Sequence, residues 1–159
     1  MAIQESTTCP IELRRKTHGA MEAMGFVLST DNRWFLLAAF LYLMLAGLGL
    51  PINGSLLSDG TSRPAFLHLF TLGFLAMMIY GLGGHMLPRF TGTPIRMGMW
   101  PWLQMGLAHM GVAGYVIGYL AGWHSLTITG AILAWLGLAV FTWRVWPTLW
   151  ADVGSGPAR

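Results

Sequence analysis

Four apolar runs of 17, 23, 25 and 21 residues fill most of this chain: Trp34–Leu50, Ala65–Leu87, Met97–Ala121 and Leu126–Trp146. None of them carries Asp, Glu, Lys or Arg in its middle. About 20 apolar residues cross the hydrocarbon of a bilayer as a helix. In lipid a helix satisfies its own backbone, so such runs span or they do not fold there. The chain has 159 residues, of which 9% are charged, against about 25% in soluble domains. That composition excludes an ordinary soluble globule and a disordered chain. No soluble enzymatic domain fits beside four spans. The expected fold is all-α, a four-helix transmembrane bundle.

Prolines punctuate the runs. Pro51 is expected to stop the first, Pro64 to open the second, and Pro88 with Arg89 to close it. The fourth is apolar to Thr142 and is expected to fray through Arg144 to Pro147. The connectors are then 51–64, 88–96 and 122–125. An even number of spans puts both termini on one side. That side takes Arg14, Arg15, Lys16, Arg33, Arg89, Arg96, Arg144 and Arg159, and the other takes only Arg63. Eight against one follows the positive-inside rule, so both termini are expected in the cytoplasm. Residues 1–33 read as a polar cytoplasmic segment, 34–150 as the membrane domain, and 151–159 as a cytoplasmic tail. The start lacks the basic-then-apolar pattern of a cleaved signal peptide. The expected location is the inner (cytoplasmic) membrane, multi-pass. A net charge of +3 calls for no nucleic-acid partner.

Glycines concentrate in the second and third runs. Gly73, Gly81, Gly83 and Gly84 lie in one, and Gly106, Gly111, Gly114, Gly118 and Gly122 belong to the other. Small residues let helices approach closely in lipid. A flat cofactor against a glycine-lined face is the alternative, and spacing alone does not choose between them.

Histidines are the anomaly in a chain so short of charge. His18 sits in the polar N-terminal segment, while His68, His85, His109 and His124 lie in or beside the runs. Ionisable groups inside a membrane are costly and by default suggest function; an imidazole can also bridge helices as a hydrogen-bonding group. Neutral imidazole suits haem iron or copper. Cys9 is the sole cysteine, which excludes thiolate clusters and covalent CxxCH haem attachment. Haem b is therefore the favoured cofactor and copper the second. His68 and His85 are 17 positions apart, roughly 25 Å along a helix, and cannot share one iron within a chain. His109 falls roughly 12 Å from either in depth. Depth favours His68 with His124, unless tilt or a shifted register brings His109 to His68. Arg89 and Arg96 could pair with haem propionates, or serve only topology and anionic-lipid contact. The methionines, Met77, Met78, Met86, Met97, Met99, Met105 and Met110 among them, read mainly as packing.

The stretch LHLFTLGFLAMMIYGLGGHMLPRFTG, Leu67–Gly92, resembles a helix of the catalytic subunits of haem–copper oxidases and nitric oxide reductases, and of the related NnrS-type haem and copper membrane proteins. His68 matches the histidine that in the oxidases ligates the low-spin haem b. Gly73, Gly81 and Pro88 match the pattern around it. The resemblance implies haem binding and electron transfer, or nitric oxide and oxygen chemistry. It covers about a quarter of the chain. Those subunits have about twelve spans, and no histidine set for a high-spin haem and copper centre is recognisable here. A complete oxygen-reducing centre within one chain is not expected, and enzymatic activity as an oxidoreductase stays open.

The leading expectation is thus a haem b membrane protein with His68, His109, His85 and His124 as candidate ligands. Expected partners are lipids, further copies of the chain, a redox partner or quinol, and a diatomic gas. The alternative is a non-redox accessory or assembly subunit whose histidines bridge helices. A small transporter or channel is weaker, because no span carries an acidic coupling residue.

Overall fold

The computed structural model describes residues 28–53 and 62–150. The polar segment 1–27, including Cys9, Arg14, Arg15, Lys16 and His18, and the tail 151–159 with Arg159 lie outside the described residues. All regular structure among the described residues is helical. Helix α1 spans Thr30–Gly47 and continues into the short α2, Gly49–Asn53. Helix α3 spans Arg63–Thr91, α4 Trp100–Leu120 and α5 His124–Leu149.

Three of these, Thr30–Ile52, Arg63–Thr91 and His124–Leu149, are long and apolar enough to cross a membrane. Helix α4 is equally free of charge over its 21 residues. Its Gln104, His109 and four glycines lower its hydropathy, and its partner helix covers much of that polar and glycine surface.

Several ends differ from the sequence expectation. Helix α1 begins at Thr30, so Asp31 and Arg33 belong to its first turn. Pro51 lies inside α2 rather than ending the run. Pro88 lies inside α3, which runs on to Thr91 and stops at Gly92 (φ 67°). Helix α4 starts three residues later than the apolar run, and α5 starts two residues earlier than expected. The largest correction concerns Arg144. Helix α5 does not fray there but continues past Pro147, and Arg144 is 2% exposed. Buried partners compensate a charge that hydropathy alone would push to the surface.

Helices α4 and α5 form a hairpin across three residues. Trp123 N–H donates to the Gly118 carbonyl at 2.7 Å and Gly122 N–H to that of Tyr119 at 3.2 Å. This is the Schellman arrangement, and Gly122 supplies its left-handed residue at φ 71°. Beyond the turn the backbones almost touch. A Cβ at Gly118 would lie 2.6 Å from Thr127 N, and one at Gly137 would lie 3.2 Å from Ala108 N. Cβ atoms at Gly111 and Gly130 would overlap the backbones of Ala134 and Tyr115. On α3, Gly73 makes room for the Tyr42 ring, Gly81 faces Leu36, Gly83 faces Phe141 and Gly84 faces Asn32. Neighbouring helices occupy these glycine faces, as close packing in lipid requires. The core between the two helix pairs holds Phe35, Tyr42, Met77, Tyr80, Val112 and Phe141.

Candidate functional site

The second apolar run is not a uniform α-helix. Residues Leu69–Ala76 form a π-helix directly after His68. π segments are rare and frequently occur at functional sites. Two side chains bond back to i−4 carbonyls where the register changes. His68 Nδ1 donates to the Pro64 carbonyl at 2.7 Å, and Thr71 Oγ1 donates to that of Leu67 at 2.8 Å. Each competes with the backbone ladder for its acceptor. A proton fixed on Nδ1 leaves Nε2 with an unshared pair, the tautomer that metal-ligating histidines adopt.

The His68 ring stacks on Tyr115 of α4, with centroids 4.0 Å apart and planes 26° apart. Tyr115 continues the stack toward Tyr119 at 6.1 Å. A cavity of about 200 Å³ lies beside His68 and Tyr115 and is also lined by Tyr80, Ala134 and Trp135. Its outer side is built from exposed residues of α5, including Trp135 at 65%.

The other histidines go elsewhere. His109 Nδ1 shares a hydrogen bond of 2.8 Å with the Tyr42 hydroxyl of α1. The two rings tilt together at 5.5 Å. His109 therefore turns to α1, while Tyr115, six residues further along α4 and about 9 Å away in depth, meets His68. His85 accepts a hydrogen bond at Nε2 from the Arg89 guanidinium one turn later. That contact gives Arg89 a partner on its own helix and occupies the His85 lone pair. His85 also lines a cavity of about 240 Å³ with Ser29, Asn32, Pro88, Pro94 and Ile95. His124 is the exposed first residue of α5. Arg96, in the α3–α4 connector, lies over the Trp143 ring at 3.9 Å and donates to the Trp143 carbonyl at 3.0 Å. Among the described residues no three His, Cys, Asp or Glu side chains are grouped as a metal cage requires. Haem takes only one or two axial protein ligands.

One polar cluster was not foreseen. Arg144 Nη1 donates to Gln104 Oε1 at 2.5 Å, and Arg144 Nε donates to the Arg96 carbonyl at 3.1 Å. Arg144 Nη2 stands 3.9 Å from Asp31 Oδ2. Gln104 is fully buried and Asp31 is 7% exposed. The cluster ties α1, α4, α5 and the α3–α4 connector at one end of the bundle. A signal for it was present in the sequence: Gly130, Gly137 and Arg144 recur at intervals of seven, so Arg144 shares the glycine face of α5.

These residues separate into a structural centre around Arg144 and a ligand-competent histidine beside a cavity at His68. No protein-family model matches the chain, and it has no match among curated proteins or solved structures.

Proposed function

We propose that this chain is a four-span protein of the inner membrane, both termini in the cytoplasm, that holds haem b through His68. Helix α4 counts as the fourth span, since its length and lack of charge suit a helix shielded by α5. The eight-to-one division of Lys and Arg supports the orientation. The observation that carries the haem reading is the Nδ1 bond of His68 to the Pro64 carbonyl, made where the helix turns from α to π.

The donor chemistry fits an iron axial ligand, but the enclosed volume is smaller than a cofactor site of about 300–1,000 Å³. One chain therefore supplies an imidazole and one wall. The exposed α5 side of the cavity is where a second copy, or a redox partner, completes the pocket and adds any second axial ligand. Bound haem would supply one-electron or diatomic-gas chemistry, depending on whether both axial positions are filled. The chain's own contribution is to fix the imidazole tautomer, cover one ring face with Tyr115 and keep the surroundings apolar.

The visible spectrum of the purified full chain tests this directly. A Soret band that disappears in His68→Ala is the expected result, and a colourless native protein would sink the proposal. Carbon monoxide added to the reduced form then separates an open iron from a closed one. Copper assayed in the same preparation tests the second metal.

The runner-up, a non-redox accessory subunit, draws support from the protein partners of the histidines. His109 bonds to Tyr42 and His85 to Arg89, as helix-bridging or helix-capping imidazoles would. It predicts a colourless protein that co-purifies with a larger membrane complex.

A further inference from the structure

A groove of about 480 Å³ runs along the outer face of α5, between walls of Trp135, Trp143 and Trp146 and over a floor of Leu138, Ala139 and Thr142. The floor is low because Ala139 is small and the Thr142 hydroxyl turns back to the Leu138 carbonyl at 3.0 Å. Trp135 is 65% exposed, Trp146 52% and Trp143 42%. The volume lies within the range of small-molecule sites, and its lining is mainly apolar, with indole N–H groups and one hydroxyl as its polar atoms.

A cation lies beside the groove, outside its lining. The Arg96 guanidinium lies flat over Trp143, which lines the groove, and one of its five N–H groups is spent on the Trp143 carbonyl. Its own backbone is held as well, because the Arg96 carbonyl accepts from Arg144 Nε and the Arg96 N–H donates to the Arg144 carbonyl. Asp31 is the one carboxylate among the described residues, and it faces Arg144. Arg96 is thus an anchored, exposed cation without an acidic neighbour among them. A planar guanidinium with unused N–H groups matches a phosphate oxygen pair. Tryptophans at this level are the side chains that settle at the headgroup boundary of a bilayer.

We infer that this groove binds one anionic phospholipid, its phosphate on Arg96 and an acyl chain between the tryptophans. The inference rests on the membrane reading; because the groove shares Trp135 and Leu138 with the His68 cavity, it takes the α5 face from Ala139 to Trp146 as covered by lipid and not by a second copy. Lipid is favoured over a soluble anion because Trp143, which carries the cation, also walls a mainly apolar groove.

The test uses full-length protein in phosphatidylcholine vesicles that contain brominated phosphatidylglycerol or, separately, brominated phosphatidylcholine. Tryptophan quenching by the anionic lipid should exceed that by the zwitterionic lipid at equal mole fraction, with an affinity ratio of about fivefold, the worth of one cation at an anionic surface. Arg96→Gln should bring the ratio to one, and Arg96→Lys should keep most of it. If Arg96→Gln fails to fold, Ala139→Leu raises the floor while leaving Arg96 in place. It should lower the ratio toward one. Equal quenching by both lipids in the native protein would overturn the inference. So would undiminished selectivity in Arg96→Gln or Ala139→Leu. Competition by millimolar inorganic phosphate would overturn it in favour of a free-anion site. Loss of quenching by both lipids together with a dimer in solution would instead assign the groove to contact between copies. Haem would itself quench tryptophan emission, so the two lipids are compared in preparations of equal haem content.

Discussion

The two polar centres of this molecule, one buried at Arg144 and one half-buried at His68, are built in different ways. At one end Arg144 is closed in by Gln104, the Arg96 carbonyl and Asp31, which arrive from three other parts of the chain. At the other, His68 is held by a carbonyl on its own helix and one aromatic ring, beside a cavity. The first arrangement fastens helices through Arg144, although Asp31 Oδ2 and Arg144 Nη2 meet only at ion-pair distance and Gln104 Nε2 makes no hydrogen bond. The second fixes a tautomer and leaves a donor atom, which is what ligand binding needs. Burial of a polar group is therefore no guide to function by itself. The useful distinction is whether its contacts link separate helices, as at Arg144, or stay on its own helix beside a cavity, as at His68.

The comparison breaks most sharply at Arg144. Replacing it by Ala leaves Asp31 and Gln104 buried without their partner, a kind of loss worth about 3–5 kcal/mol. Thermal denaturation in detergent should show this as the largest drop of any substitution discussed. The fraction that still folds should keep whatever ligand His68 holds. A stable Arg144→Ala protein that has lost its Soret band would reverse the roles assigned to the two ends.

Gly130→Leu attacks the scaffold between them. Its side chain would meet the backbone of Tyr115 and Gly114, which cannot rotate away. Overpacking of this kind costs about 1–3 kcal/mol. Because Tyr115 also stacks on His68, the strain should reach the ligand site and shift the Soret position as well as the melting temperature. Gly106→Leu is the control, since nothing lies within 4 Å of a Cβ there.

His68→Ala should do the opposite of Arg144→Ala. It removes one hydrogen bond and one ring contact, about 0.5–1.5 kcal/mol for each kind of interaction, yet should abolish the Soret band. His68→Gln is a useful companion because it keeps a polar side chain at the start of the π segment. Retained haem in both variants would move the ligand assignment to His109 or His124.

How much of this was legible follows from what each pattern reports. The apolar runs gave the four helices, since hydropathy averages over many residues and tolerates single exceptions. Helix ends were read less well, because a proline does not always end a helix: Pro51, Pro88 and Pro147 lie inside theirs, and Pro51 falls in a first turn, where its missing N–H has no intrahelical acceptor. Arg144 was assigned to the frayed interface on its charge alone, although its seven-residue spacing from Gly137 placed it on the buried face. His68 is one of four histidines that the shortage of charge marks out, and it is the one at the start of the π segment. The π turn beside it follows from no residue pattern; Gly73 within it makes room for the Tyr42 ring. Depth arithmetic with a uniform α-helical rise could not anticipate which face His109 would take.

His109 supplies the smallest and most discriminating test. Its bond to Tyr42 makes it a bridge between α1 and α4, the role expected of an imidazole without a ligand. Tyr42→Phe keeps the ring that Gly73 accommodates and deletes only the hydroxyl, which should cost about 1 kcal/mol. The spectrum should not change if His68 alone ligates iron. Should Tyr42→Phe alter the Soret band as strongly as a substitution at His68, the Tyr42 hydroxyl would be the group orienting a second ligand. The contrast between a fastening end and a ligand-binding end would then give way to two ligand histidines at different depths, met by different copies of the chain.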